Sequence, residues 1–119
     1  MSNPAQHHHI DYIEFAATDI ERTKRFYTTV FGWTFKDWGP EYIDFTGAGI
    51  KGGFAKSEPH EAQPKFAPLA VLYSADLETT ELAIVAAGGS IVVPAFAFPG
   101  GRRFHFSDGV GNVLGVWSE

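Results

Sequence analysis

The chain has 119 residues, 45% of them apolar and 19% charged, with a formal charge of -5 and no cysteine. That length suits one compact domain and leaves no room for a second core. The scattered acidic balance gives no footprint for holding phosphates, so nucleic-acid binding is not expected. Without cysteine there is no disulfide, thiolate nucleophile or cysteine-held zinc. No run of about 18 apolar residues is present to span a bilayer, and Met1 to Gln6 does not read as a secretory leader, so a cytoplasmic protein is expected.

Taken in chain order, Tyr12 to Ala17 is strand-like, and Thr18-Asp19-Ile20-Glu21 supplies a capping-box pattern for a helix from about Ile20 to Phe31. Phe26, Tyr27, Val30 and Phe31 fall on one side of that helix, with Arg22, Lys24 and Arg25 toward water. Gly32 fits the left-handed position that ends it. Trp33 to Lys36, Tyr42 to Phe45 and Gly49 to Lys56 read as three short strands separated by Gly and Pro signals. The plan then recurs. Asp76-Leu77-Glu78 repeats Asp19-Ile20-Glu21 after 57 positions, between a strand at Leu69 to Ser74 and a helix from about Leu77 to Ala87 stopped by Gly88-Gly89. Strands follow near Ser90 to Val93, Arg103 to Ser107 and Val113 to Ser118, with Pro94 to Gly101 as a loop or a strand edge. The proline-rich stretch Ser57 to Pro68 reads as the linker.

The expected fold is α+β: two βαβββ modules, at about 10–57 and 68–118, whose curved mixed sheets surround a cavity. A helix on one face of each sheet leaves the other face uncovered, and such an apolar concave surface is where a small ligand is expected. Exposed sheet edges point to a homodimer.

Ile13-Glu14-Phe15, Asp19-Ile20-Glu21-Arg22 and Phe26-Tyr27-x-x-Val30-Phe31-Gly32-Trp33 resemble the first module of the glyoxalase/bleomycin resistance/dioxygenase, or vicinal oxygen chelate, superfamily. Gly101-Arg102-Arg103-Phe104 with Asp108-Gly109-x-Gly111-Asn112-x-x-Gly115-x-Trp117 resembles the closing motif of its predicted lactoylglutathione-lyase-related branch. The resemblance implies a small-molecule site between modules and, in metal-using members, a divalent ion held by His, Gln or Glu at four places. Those places fall here on Tyr12, Gly53, Leu69 (or Ala70) and Gly115, so the usual metal set reads as empty and no cofactor is expected.

Glu14 lies on the Tyr12 side of its strand and His105 on the Gly115 side of its own, so a relocated metal or an acid/base pair stays open. Tyr12 is a candidate donor to a ligand, and Glu14 an acceptor, a general base or an ion-pair partner of Arg103. His105 resembles an active-site Tyr position of fosfomycin-resistance transferases. Arg102 and Arg103 can clamp an anion or serve solubility. Phe54 and Trp117 can stack on a ligand or pack the core. His7-His8-His9 reads as a frayed, adventitious cation binder. Gly-x-Ser-x-Gly, His-Glu-x-x-His and Walker sequences are missing, so hydrolase and nucleotidase readings lack support. Two functions remain: a metal-independent binder of a small aromatic or anionic molecule, using Tyr12, Phe54, Arg103 and Trp117, or a lyase or isomerase using Glu14 and His105 or a relocated divalent metal.

Overall fold

The computed structural model describes residues 5–59 and 67–119. Most of the sequence-assigned linker lies outside them. The first module is β1 (Tyr12–Ala17), α1 (Ile20–Phe31), β2 (Thr34–Asp37), β3 (Tyr42–Thr46) and β4 (Lys51–Lys56). The second is β5 (Val71–Tyr73), α2 (Leu77–Ala86), β6 (Ser90–Phe98), β7 (Gly101–Ser107) and β8 (Val113–Ser118). Two four-stranded mixed sheets result, ordered β1-β4-β3-β2 and β5-β8-β7-β6, so each is a βαβββ unit and the fold is α+β as expected.

Both helices start the same way because the repeat carries the same cap. Asp19 and Asp76 sit in extended backbone, and their carboxylates accept from the Arg22 and Thr79 amides at 3.0 and 3.1 Å. The cap of α1 is thus Asp19 rather than Thr18, whose amide instead donates to the Val110 carbonyl at 2.9 Å. Gly32, at φ 75°, closes α1 and donates to the Thr28 carbonyl, a conformation a side chain would strain. β5 is shorter than Leu69 to Ser74.

β6 is longer than expected, running through Pro94 to Phe98. It is an edge strand, and register shifts on either side of Val93 accommodate a residue with no amide to donate. Period-two alternation could not show this, because the proline and the shifts break the pattern.

Each sheet turns one face to its helix. Ile43, Phe45 and Phe54 from the first, and Phe104, Phe106, Leu114 and Val116 from the second, join Phe26, Tyr27, Leu77 and Ile84 in one core. Burying each large side chain contributes about 1.5–3 kcal/mol. The modules meet through this helix-side core. Phe106 lies 6.0 Å from Phe26 and 6.1 Å from Phe31, and Arg22 Nη2 reaches the Gly88 carbonyl at 3.1 Å.

A buried polar latch joins them as well. The Asp108 carboxyl, inaccessible to solvent, accepts from the Tyr27 hydroxyl (2.8 Å), Asn112 Nδ2 (2.8 Å) and the amides of Val110 (2.8 Å) and Asn112 (3.0 Å). Asn112 Nδ2 also donates to the Ala16 carbonyl. Burial, then Asp108, pushes the Tyr27 phenol well above its ordinary pKa, so it serves as a donor. The closing turn of the second module is thereby bonded to the first strand and first helix.

Candidate functional site

The uncovered faces of the two sheets hold the polar residues that the core excludes. Alternation along β1 sends Ile13, Phe15 and Ala17 toward α1, and Tyr12 and Glu14 outward. Glu14 pairs in register with Gly53, and Gly53 with Asp44, so Glu14, Gly53 and Asp44 form one row across the outer face. Tyr42 of β3 reaches over β4 into it. Its hydroxyl donates to Glu14 Oε1 at 3.1 Å and also meets the Tyr12 hydroxyl. Further along, Trp38 Nε1 donates to Asp44 Oδ2 at 2.9 Å, and Lys36 Nζ stands 4.1 Å over the Trp38 ring.

The outer face of the second sheet has the opposite character. Arg103 and His105 alternate outward from β7 and pair in register with Trp117 and Gly115 of β8. The Arg103 guanidinium lies 5.2 Å from the Phe96 ring and 5.6 Å from the Phe98 ring, and His105 meets Phe96 edge-on at 5.9 Å. Trp117 contacts Tyr73 at 5.0 Å and Phe98 at 6.2 Å. Within this aromatic surround, Arg103 Nε and His105 Nε2 are closed off from solvent and have no hydrogen-bond partner among the described residues. A buried polar atom without a partner costs about 1–3 kcal/mol, and Arg103 Nε can only donate. Burial and the neighbouring guanidinium hold the His105 imidazole below its ordinary pKa.

These placements sort the residues named from sequence. Arg103, His105 and Trp117 share one outer face, and Tyr12 and Glu14 share the other. Phe54 belongs to neither: it is fully buried on the helix side of the first sheet, 5.3 Å from Phe15 and 5.0 Å from Tyr27, which is the core-packing place. The Glu14–Arg103 ion pair does not form among the described residues, because the two stand on different sheets and the Tyr42 hydroxyl bonds to Glu14. Arg102 pairs instead with Glu78 at 2.7 Å. His7, His8 and His9 lie in an exposed turn, with the first two rings stacked at 3.8 Å. An open cleft of about 550 Å3 lies beside the start of α1, lined by Thr18, Asp19, Glu21, Asp37 and Lys56 among others, and includes none of the named residues.

Tyr42, Phe96, Phe98 and Tyr73 were not singled out from sequence. Alternation in Tyr42-Ile43-Asp44-Phe45 does put Tyr42 on the outer face, but its meeting with β1 depends on the order of strands. Pro94 concealed the strand that presents Phe96 and Phe98.

The metal that the fold family uses does not fit these residues at its usual places. Tyr12 is engaged with Tyr42, Gly53 and Gly115 have no side chain, and Leu69 offers only carbon, its Cδ2 lying 3.5 Å from a Cβ built on Gly115. Among the described residues no three His, Asp or Glu side chains gather in a metal-binding group.

Comparison with known proteins agrees with this architecture. Residues 9–116 match the model of the Glyoxalase/Bleomycin resistance protein/Dioxygenase superfamily. The curated relative "Putative glyoxylase CFP32" from Mycobacterium tuberculosis is 28% identical over 115 residues, which cover 90% of this chain and 44% of that protein; its Mycobacterium bovis counterpart matches equally. The chain thus spans less than half the length of these relatives. Among solved structures, a glyoxalase-related enzyme from Fulvimarina pelagi superposes with a TM-score of 0.77 at 22% identity, covering 94% of this chain and 88% of that one. The fosfomycin resistance protein FosX from Listeria monocytogenes gives 0.78 at 14% identity, covering 95% and 91%. At such identities the likeness establishes the fold alone. With the family model matched over nearly its whole length, this chain belongs to the glyoxalase/bleomycin resistance protein/dioxygenase superfamily.

Proposed function

We propose that this protein binds a small aromatic or anionic molecule against the outer face of its second sheet, independently of the family's usual metal. The observation that carries the reading is the pair of enclosed nitrogens on Arg103 and His105, without partners among the described residues and set among Phe96, Phe98 and Trp117. A guanidinium held between two rings is already oriented, so a carboxylate, phosphate or phosphonate reaches its Nε–H once the enclosing rings part to admit it. The rings offer stacking surface to the rest of the ligand. One FosX structure from Listeria monocytogenes holds a phosphonic acid together with manganese(II), so the parallel supports an anionic ligand and not independence from metal.

The cavity is closed in this reading by a second copy of the chain. The modules join through their helix-side core, leaving β1 and β5 as edges paired on one side only. The acidic and phenolic face of Tyr12, Glu14, Tyr42 and Asp44 complements the Arg103/His105 face in charge, and a two-fold dimer would apply one to the other twice.

Titration calorimetry with benzoate and phenylphosphonate tests this, with and without a chelator. The expected result is saturable binding unaffected by chelation and weakened about tenfold or more in Arg103→Met, the loss of about 1.5–3 kcal/mol that accompanies a charged hydrogen bond. Affinity that collapses with chelator, or an Arg103→Met variant binding as well as the parent, overturns it. A lyase or isomerase using Glu14 and His105 finds support in the likeness to the glyoxylase-named relatives. In that reading Glu14 and His105 come from different sheets, one from each module.

A further inference from the structure

The corner of the first sheet where the family would place metal ligands is closed by a hydrogen-bonded chain with a direction. Tyr12 and Glu14 stand on β1, Tyr42 on β3, and β4 passes between them with Gly53 beneath the two phenols. A Cβ at Gly53 would lie 2.5 Å from the Tyr42 hydroxyl, 2.7 Å from the Tyr12 hydroxyl and 2.6 Å from the Ile43 carbonyl. Only glycine leaves room for both hydroxyls there, so the phenols occupy the volume that a ligating side chain at position 53 would need.

Each phenol has one proton. Tyr42 donates its proton to Glu14 Oε1, so in the contact between the phenols Tyr12 must be the donor and Tyr42 the acceptor. The order of donation is Tyr12 to Tyr42 to Glu14. Its outer end is the Tyr12 oxygen, which retains lone pairs but has no proton left to give, on a residue 43% exposed. Burial first, then the bonds to Tyr12 and Glu14, hold the Tyr42 phenol far above its ordinary pKa, so the central link stays protonated. Tyr12, read from sequence as a donor to a ligand, is thereby turned into an acceptor.

We propose that this corner is a binding site for a hydrogen-bond donor, a hydroxyl or protonated amine of a small molecule, received at Tyr12 Oη and oriented by Tyr42 and Glu14. Tyr42 is a positioning residue in it, acting through Tyr12. The proposal deepens the reading above, in which this face and the Arg103 face enclose one cavity, but concerns the other sheet and a ligand group of opposite character, so uncharged and cationic probes test it separately from the anion site.

The test follows the ring resonances of Tyr12, Tyr42 and the core Tyr27 by NMR while three probes are added: benzyl alcohol, benzylammonium and benzyl methyl ether, which has no donor. The alcohol or the ammonium should shift Tyr12 and Tyr42 saturably while Tyr27 stays still, and the ether should bind at least fivefold more weakly. Whichever of the two donor probes binds more tightly identifies the preferred group. In Tyr42→Phe the Tyr12 proton is freed to point outward, so the order of ether and alcohol should narrow or reverse. Tyr12→Phe, which removes the acceptor and leaves the Tyr42–Glu14 bond in place, should abolish the preference and serves if Tyr42→Phe does not fold. Donor probes that leave Tyr12 and Tyr42 unmoved, an ether that binds as well as the tighter of the two donor probes, or a preference unchanged in both variants would overturn the proposal.

Discussion

The two modules share one plan and present opposite surfaces. Their helices begin at equivalent aspartates, their sheets have the same strand order, and each places a glycine on its last strand, Gly53 in β4 and Gly115 in β8. On the first sheet the polar groups satisfy one another: Tyr12, Tyr42 and Glu14 form a chain, and Trp38 bonds to Asp44. On the second, Arg103 Nε and His105 Nε2, set among rings, have no partner among the described residues. A duplicated scaffold fixes where strands and helices go, while a handful of outward positions decides the chemistry of each face. Unpaired donors in an apolar surround are poised for an acceptor on a ligand, whereas the chain on the first sheet leaves only the lone pairs of its Tyr12 end open and tolerates that exposure at little cost.

The largest expected effect tests whether the two modules stand or fall together. Asp108→Ala leaves the Tyr27 hydroxyl, Asn112 and two amides without their acceptor, and should cost about 3 kcal/mol or more in urea unfolding, with both modules lost in a single transition. A loss below about 1 kcal/mol would mean that the core alone holds the modules together.

The equivalent glycines give a sharper contrast. Gly53→Ala drives a methyl into two hydroxyls and a carbonyl within 2.7 Å, and should destabilise by about 1–3 kcal/mol. Gly115→Ala has as its nearest neighbours His105, Val71 and Leu69 side-chain atoms at 3.3–3.5 Å, and should cost under about 1 kcal/mol. Equal costs would erase the difference drawn between the faces.

The smallest effect is a pH dependence. The folded chain holds His105 below its ordinary value of 6.5, so as pH falls through 6.5 the unfolded chain gains a proton before the folded one does. His105 therefore detracts from stability increasingly below that pH, down to its own lowered pKa, and contributes no pH dependence above it. His105→Gln should make the acid limb of a thermal-unfolding profile shallower; an unchanged limb assigns it to the carboxylates.

Much of this was legible in order along the chain. The repeated Asp-Ile-Glu and Asp-Leu-Glu, the helix of Phe26 and Tyr27 and the stop at Gly32 are local signals, because caps and apolar periodicity act over one or two turns of chain. Trp117 could stack on a ligand or pack the core, while outward placement of Tyr12, Glu14 and His105 followed from alternation in the same way. Phe54 did not, since its role depends on which face of β4 the helix covers.

The rest belonged to the tertiary structure, for reasons of reach. Tyr42 meets Tyr12 and Glu14 only because β4 inserts between β1 and β3, a pairing across some thirty residues that no local pattern encodes. β6 survives its proline only as an edge strand, a status conferred by its neighbours. The sequence by itself determined the duplicated scaffold and which side chains leave the core. Packing decided which of those side chains find partners and which keep an unsatisfied hydrogen-bonding atom, because that depends on distances set by strand order and register rather than by spacing along the chain.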